Sequence, residues 1–210
     1  LQLPPIMNGS LIFPFVSGEH GTPLGVMASI IPTSTIQPDP ELRIGNADQM
    51  TTATLGTNYL PGFDSPAANM QGRIIFVGYG IVDPLHGIDD YAGVDVTNRI
   101  VLFLRGKPEH YQRPVSHTDK VRFARDRGAL AYLTATGPIL NPYEARRGVT
   151  GRPNAFYGQL PPDRAIPGAW ISTALAEQIL SGSDNANVDR IQLLQEQLNK
   201  TPSSQSKETD

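Results

Sequence analysis

His117 and Asp119, two positions apart, are the residues of this sequence that most resemble part of a metal site. Histidine nitrogens and carboxylate oxygens are ordinary zinc ligands. A catalytic two-zinc site also needs further carboxylates, a second histidine and a general base such as glutamate. Here the segment follows Arg113-Pro114-Val115-Ser116 and opens a predicted helix. We therefore interpret it as a helix cap, and we predict no metal-binding, cofactor-binding or catalytic residue in this chain.

A second group of acidic side chains lies between residues 83 and 95. His86 with Asp89 and Asp90 could form a cation site, and Asp95 would add a third carboxylate suited to calcium. Aspartates in turns also accept hydrogen bonds from nearby backbone N–H groups. We favour the turn interpretation, and a structural cation near these aspartates stays open on the sequence alone.

Motifs of other enzyme classes are incomplete. Gly78-Tyr79-Gly80 follows an apolar run as a dinucleotide-binding turn would, but it lacks the third glycine and the helix that should follow. The sequence contains no G-x-S-x-G motif, and adjacency of Ser116 and His117 does not make a catalytic triad. His20 and His110 stand in predicted loops without clustered acids, which favours solvated surface histidines.

The residues best suited to contact a substrate or partner lie between Gly137 and Arg164. This is the longest irregular stretch that the sequence predicts, and such loops tend to be functional or disordered. Guanidinium groups can recognise carboxylates bidentately, and neighbouring tyrosines add contact area. The alternative is a solvated polar loop without a binding role. The predicted contact residues are Tyr143, Arg146, Arg147, Arg152 and Tyr157.

Composition excludes several classes of function. The chain has 210 residues and a formal net charge of −3 at pH 7, so it offers no basic surface for nucleic acid. No apolar run approaches the roughly 18 residues of a membrane span. We expect any signal peptide to lie outside this sequence. Cysteine is absent, which excludes disulfides and thiolate metal sites. The 20 glycines and 19 prolines favour strands and turns with long loops.

Two apolar runs, residues 74–77 and 100–104, predict neighbouring core strands. Neither run alternates polar with apolar residues, which is typical of strands buried on both faces. A short helix should follow, capped by Ser116 or Thr118 and ended by Gly128. The predicted core residues are Phe76, Val101, Phe103, Leu130 and Leu133.

The remaining elements follow the same rules. Residues 129–133 predict a strand, and strand, helix and strand at this spacing indicate a crossover with parallel strands. Residues 169–172 predict a further strand, followed by a helix over 174–180. The last helix carries a narrow apolar stripe of Ile191, Leu194 and Leu198. We predict four regions: an extended N-terminal segment over 1–48, a domain over 49–185, a linker helix over 186–200 and a disordered tail over 201–210.

The order of motifs between residues 73 and 105 resembles a known domain family. The sequence reads GYGI, a short turn, DDYAGVDV, a basic residue and then IVLFLRG. It is similar to the protease-associated (PA) domain, and more narrowly to the version inserted in zinc aminopeptidases of the transferrin-receptor and glutamate-carboxypeptidase family. The similarity continues through Lys120, Ala124, Gly128-Ala129 and Ile166-Pro167. It implies an α/β fold with a mixed β-sandwich or open β-barrel core, flanked by two or three short helices.

The resemblance also implies a function. The domain would be non-catalytic, covering or shaping the active-site entrance of a zinc aminopeptidase and influencing which peptides enter. Zinc would lie in the separate peptidase domain, where a His-x-Asp triplet ends a hydrophobic strand and a Glu-Glu pair supplies the base. This chain has no adjacent glutamates. The expected partners are that peptidase domain and its peptide or protein substrate, with no nucleic acid and no membrane span, in a secreted or periplasmic protein.

Two other functions stay open on the sequence. PA domains of some sorting receptors are self-contained peptide- or protein-binding modules. Others are inserted in subtilisin-like serine proteases, although the DDYAGVDV segment favours the aminopeptidase version. In some relatives the PA domain leans over the active site and contributes substrate contacts, which makes the stretch from Gly137 to Arg164 the candidate contact region.

Overall fold

The computed structural model describes residues 10–13, 29–32, 40–45, 50–62, 65–66, 68–146, 149–153, 164–181, 189–200 and 207–208. The chain divides into two units, Leu1–Ile36 and Gln37–Asp210. In the first unit, strand β1 (Ser10–Phe13) pairs antiparallel with β2 (Ser29–Pro32). Both strands fall within the segment predicted to be extended.

The second unit contains a six-stranded mixed sheet and two short two-stranded pairs. Its strands are β3 (Arg43–Gly45), β4 (Met50–Thr52), β5 (Tyr59–Pro61), β6 (Ile74–Phe76), β7 (Val82–Asp83), β8 (Ile88–Asp89), β9 (Ile100–Leu104), β10 (Ala131–Ala135), β11 (Gly168–Ile171) and β12 (Lys207–Glu208). The order in the large sheet is β12-β6-β9-β10-β11-β5. Its four central strands are parallel, and the edge strands β5 and β12 are antiparallel to their neighbours. Strands β3 and β4 form one pair, and β7 and β8 the other.

Short helices flank this sheet. They are α1 (His117–Asp126), α2 (Pro142–Arg146), α3 (Thr173–Ser181) and α4 (Arg190–Lys200), and a 3-10 turn covers Pro84–His86. A mixed sheet with a few short helices confirms the predicted α/β fold class. Among the described residues, none of the helices combines the length and apolar composition that a bilayer crossing requires.

Strand β9 shows why the sheet is buried on both faces. Val101 and Phe103 belong to a core cluster that includes Val121 and Ala124 of α1. Leu102 and Leu104 belong to the other cluster, which includes residues of α3 and α4. Residues 101–104 are all 0% exposed. Alternate side chains of one strand therefore enter two cores, which is why the run contains no polar residue.

The predicted core is largely as expected. Phe76, Val101 and Phe103 are fully buried, and Leu133 is 5% exposed. Leu130 is only partly buried, because β10 begins one residue later, at Ala131. The parallel pairing of β9 with β10 across α1 confirms the predicted crossover.

The start of α1 confirms the capping interpretation. The Ser116 hydroxyl accepts a hydrogen bond from the backbone N–H of Asp119 at 3.0 Å, and the Asp119 carboxylate accepts from Ser116 N at 3.0 Å. This reciprocal pair is a capping box. Gly128 follows the helix with a φ of +82°, as a glycine just beyond a helix end commonly does.

One prediction about the stretch from Gly137 to Arg164 is wrong, since α2 forms inside it. Pro142 is the first residue of α2, and the φ that the proline ring fixes suits a first helical turn. The Asn141 side-chain oxygen accepts a hydrogen bond from Glu144 N at 2.9 Å, as an N-cap does. The sequence Asn-Pro-x-Glu carries these helix-start signals, but the other prolines of the same stretch indicate irregular structure.

Helix α4 packs through its predicted apolar stripe on the core cluster that contains Leu102 and Leu104. Ile191, Leu194 and Leu198 are all buried. The Glu177 carboxylate of α3 accepts hydrogen bonds from the backbone N–H groups of Arg190 and Ile191, at 2.6 and 2.9 Å. These contacts satisfy donors that a helix start otherwise leaves unpaired, and they join α3 to α4.

Candidate functional site

A cleft lies where strands β9 and β10 end. Loops at the carboxyl ends of parallel strands are the usual place for binding sites in open α/β sheets. Here the segments after the two strands, residues 105–109 and 136–144, contribute most of the lining. Tyr79, Gln195 and Asn199 complete it. The empty space is about 330 Å³, including the part open to solvent.

An ion pair crosses this cleft. The Arg105 guanidinium, just after β9, donates a hydrogen bond to the Glu144 carboxylate of α2. The guanidinium carbon also lies 4.7 Å from the ring centroid of Trp170 in β11. Arg105 therefore joins three elements, because a planar guanidinium can pair with a carboxylate and stack on an aromatic ring at the same time.

Charge in the cleft is balanced. Arg105 and Lys107 provide two positive groups, and Glu109 and Glu144 provide two negative ones. The Lys107 ammonium donates to the backbone carbonyl of Arg113 at 2.8 Å. The cleft therefore lacks the excess positive charge that a phosphate or nucleic-acid site requires.

The buried Gln195 amide fixes the backbone at the start of the 137–146 segment. Its Oε1 accepts from Ile139 N at 2.9 Å, and its Nε2 donates to Ile139 O at 2.7 Å. Nε2 also donates to the Tyr79 hydroxyl at 3.1 Å, and that hydroxyl donates to Asn199 Oδ1 at 3.2 Å. Burial raises the pKa of Tyr79 to about 12, so its hydroxyl keeps its proton. A side chain at Gly137 would collide with Gln195.

Lys120 of α1 holds the backbone at the carboxyl end of β9. Its ammonium donates to the backbone carbonyls of Leu104, at 2.9 Å, and Gly106. It also lies 5.6 Å from the ring centroid of Tyr79 and 5.7 Å from that of Phe103. Burial lowers the pKa of Lys120 to about 7, although the charges of Asp90 and Glu144 oppose the shift. This lysine is 2% exposed, so its role is to hold backbone rather than to meet a ligand.

The glycine turn after β6 is shaped by two close approaches. Gly80 has a φ of +69°, and a Cβ there would lie 3.1 Å from the Cβ of Phe103. The Asp90 carboxylate accepts from Ile81 N at 2.8 Å. Asp89 and Asp95 accept from the backbone N–H of Tyr91 and of Thr97 in the same way. The acidic segment thus uses its carboxylates as the turn interpretation predicted.

His117 is half-buried at the start of α1 and packs against two aromatic rings. Its ring packs against Phe103 and Tyr132, with ring centroids 5.6 and 5.3 Å away. Burial, followed by the charges of Lys120 and Arg105, lowers the pKa of His117 to about 3. The part of the chain that the structure describes holds no group of three histidine or acidic side chains placed to bind a metal.

The predicted contact residues are only partly described. Arg146 is exposed in α2, and Arg152 is exposed after Gly151. Tyr143 belongs to α2 by its backbone. Arg147 and Tyr157 lie outside the described residues, as does His20. His110 is exposed as predicted, with Nδ1 3.2 Å from the Asn199 carbonyl oxygen.

Local sequence patterns do not predict the cleft. Arg105 follows an apolar run and Glu144 lies in a stretch predicted to be irregular, and no local pattern pairs the two. Gln195 carried a usable signal: it lies four positions after Ile191 and three before Leu198, on the apolar side of α4. A glutamine on such a face is usually buried with hydrogen-bond partners.

Comparisons with known proteins add little. No protein-family model matches the chain, and no curated protein matches it. Among solved structures it is similar to an aminopeptidase from Aneurinibacillus sp. strain AM-1, with 20% identity and a TM-score of 0.44. The match covers 68% of this chain and 28% of the aminopeptidase, so the chain spans well under half of that enzyme's length. A similarity of this size carries no inference about activity.

Proposed function

We propose that this chain is a non-catalytic PA domain of a peptidase, and that it shapes the active-site entrance and influences which peptides enter. The motif order GYGI, DDYAGVDV and IVLFLRG supports the domain assignment. Catalytic zinc would lie in the peptidase domain of the same polypeptide, and the protein would be secreted or periplasmic. The self-contained binding module and the subtilisin-like insert are the alternatives.

The proposal rests on the contacts that the residues of these motifs make. Asp90 accepts from Ile81 N, Lys120 donates to the carbonyl of Leu104, and Gly80 packs against Phe103. Each of these contacts holds backbone in place. Residues occupied in this way support a scaffold role better than a role in proton transfer or nucleophilic attack.

Hydrogen bonds from the rest of the domain hold the 137–152 region in place, which supports the proposal that this region contacts a peptide. Gln195 holds Ile139, and Arg105 holds Glu144. Further along, the backbone N–H of Thr173 donates to Gly151 O at 2.8 Å. Between these tethered points the chain carries Arg146, and just after them Arg152, with both side chains exposed. Guanidinium groups on a fixed backbone are suited to the carboxylates of a peptide, because less conformational entropy is lost on binding.

The non-catalytic part of the proposal is tested with the isolated chain. Peptide hydrolysis is measured with and without added zinc, and bound metal is measured in the purified protein. We expect no turnover and no stoichiometric zinc. Zinc held through His117 and Asp119, or turnover that depends on metal, would contradict the proposal. The flanking sequence of the full-length protein separates the alternatives, since a downstream His-x-Asp with a Glu-Glu pair indicates the aminopeptidase and a Ser-His-Asp set the serine protease.

A further inference from the structure

We propose that the cleft at the ends of β9 and β10 binds a free amino acid in its zwitterionic form. Lys107 and side-chain amides of the lining would hold the carboxylate, Glu109 would hold the ammonium group, and Leu140 would contact the side chain. This inference goes beyond the proposed function and does not depend on it, because binding to the chain alone requires no peptidase domain.

The cleft has one charge of each sign outside its ion pair. Arg105 and Glu144 neutralise each other. The Lys107 ammonium has three N–H groups and donates one of them to Arg113 O at 2.8 Å. The Glu109 carboxylate takes part in no hydrogen bond or ion pair among the residues that the structure describes. Lys107 and Glu109 are two positions apart, so a ligand with one charge of each sign complements them better than an anion or a cation does.

Two asparagines of the lining retain donors for a carboxylate. The Asn141 side-chain oxygen accepts a hydrogen bond from Glu144 N at 2.9 Å. The Asn199 side-chain oxygen accepts one from the Tyr79 hydroxyl at 3.2 Å. Within the described ranges, the NH2 groups of both side chains have no acceptor. Each oxygen is held by the fold, which leaves the NH2 groups to donate to a ligand.

Thr136 provides a buried hydroxyl in the lining. The residue is 2% exposed, and its hydroxyl has no hydrogen-bond partner in the described part of the chain. Buried polar groups of folded proteins are nearly always hydrogen-bonded, and leaving one unpaired is costly. A ligand carboxylate that accepts from this hydroxyl would remove that cost, so the bound state would be favoured.

The size of the cleft and its apolar contact limit the ligand further. The empty space of about 330 Å³, which includes the part open to solvent, is at the lower end of the range for small-molecule sites. A single amino acid suits this space better than a nucleotide or a longer peptide. Leu140 is 36% exposed in the lining and favours an aliphatic side chain on the ligand.

The first experiment compares three probes on the 210-residue chain at pH 7. They are L-leucine, N-acetyl-L-leucine, which lacks the positive charge, and L-leucinamide, which lacks the negative charge. Binding is followed by NMR titration of the backbone amides of residues 105–109 and 136–141. We expect L-leucine to bind about tenfold or more tightly than either analogue, because each analogue loses one charge-assisted contact. No binding of L-leucine, or equal binding of all three probes, would overturn the proposal.

A change at Glu109 tests the ammonium contact. Glu109→Gln removes a charge that no ion pair in the described structure uses, so the fold should keep its Tm. We expect binding of L-leucine to weaken about tenfold, while binding of N-acetyl-L-leucine stays the same. An equal effect on both probes would contradict the assigned role of Glu109, and unchanged binding of L-leucine would overturn the proposal.

A change at Thr136 tests the contact with the buried hydroxyl. Thr136→Val keeps the shape of the side chain and removes the hydroxyl. Thr134→Val is the matched control, since its hydroxyl is also buried without a partner in the described residues, and Thr134 is not part of the cleft lining. We expect binding of L-leucine to weaken about tenfold in Thr136→Val only, with no loss of Tm in either variant. Equal binding by both variants would overturn the proposal.

These outcomes are independent of the peptidase assignment. Failure of L-leucine to bind would leave the proposed role in peptide access untouched, because that role is measured on the full-length protein with peptide substrates.

Discussion

The side-chain amide of Gln195 is hydrogen-bonded to both backbone polar groups of Ile139, at 2.9 Å through Oε1 and 2.7 Å through Nε2. A carboxamide carries the same donor and acceptor as a peptide group, so it can take the place of a neighbouring strand. Helix α4 thereby holds the first residues after β10, next to the cleft. The position of one glutamine links the last helix to the segment that leads to α2.

Replacing Gln195 by methionine, which has a similar volume, should destabilise the fold. The change leaves the N–H and C=O of Ile139 without their partner and removes a donor to the Tyr79 hydroxyl. We expect a loss of about 1–3 kcal/mol in the free energy of unfolding, measured with urea. Gln197→Met on the exposed face of α4 is the control, with an expected change within about 0.5 kcal/mol. Equal effects of both substitutions would mean that the amide contacts do not stabilise the fold.

Alanine substitutions at Gly80 and Gly87 distinguish the cost of a left-handed backbone from the cost of a steric collision. Their φ angles are similar, +69° and +76°, but a Cβ at Gly80 would press on Phe103 and one at Gly87 would meet nothing within 4 Å. Alanine at either position should cost about 1 kcal/mol for the left-handed backbone. Gly80→Ala should cost a further 1–3 kcal/mol or so, because the core must shift. Equal losses in thermal unfolding would show that the turn does not need its close contact with Phe103.

His117 should make stability depend on pH. Its pKa is about 3 in the folded chain and about 6.5 in the unfolded chain. Between these values the unfolded chain binds a proton that the folded chain does not, so stability is complete above pH 6.5 and is lost as pH falls towards 3. The slope approaches 1.4 kcal/mol per pH unit for one proton.

The measurement compares the free energy of unfolding at pH 7 and pH 5. His117→Phe should lose about 2 kcal/mol less than the unmodified chain over this interval, because no buried imidazole remains to be protonated. The exposed His110 gives the control, and His110→Phe should follow the unmodified chain. Parallel pH profiles for all three proteins would mean that His117 is accessible to protons in the folded state.

Local sequence signals predict the bounds of those elements that interactions between neighbouring residues determine. Strand β9 has the bounds predicted from its apolar run, and Ser116 and Gly128 bound α1 as their residue types indicate. The cleft depends on long-range contacts instead. Arg105 and Glu144 are 39 positions apart, and Gln195 and Ile139 are 56 apart. No local pattern specifies which distant carboxylate or backbone group such a side chain will meet.

The central claim is that two exposed arginines, Arg146 and Arg152, affect peptide use by the intact protein. Both lie on or next to the segment that Gln195, Arg105 and Thr173 hold in place. Arg146→Ala and Arg152→Ala remove charges that would pair with the peptide's carboxylates. Each lost charge-assisted contact should cost about 1.5–3 kcal/mol of transition-state or substrate binding. Arg122→Ala, exposed on α1 and paired with Asp119, is the matched control.

The most direct test is kcat/KM for peptide hydrolysis by the full-length protein, measured alongside the Tm of the same variants. We predict that kcat/KM falls roughly ten- to hundredfold for Arg146→Ala or Arg152→Ala. It should stay within about twofold for Arg122→Ala, and Tm should be unchanged for all three. A kcat/KM that is the same in all three variants as in the unmodified protein would contradict the account, because the domain would then influence peptide access without these residues or not at all.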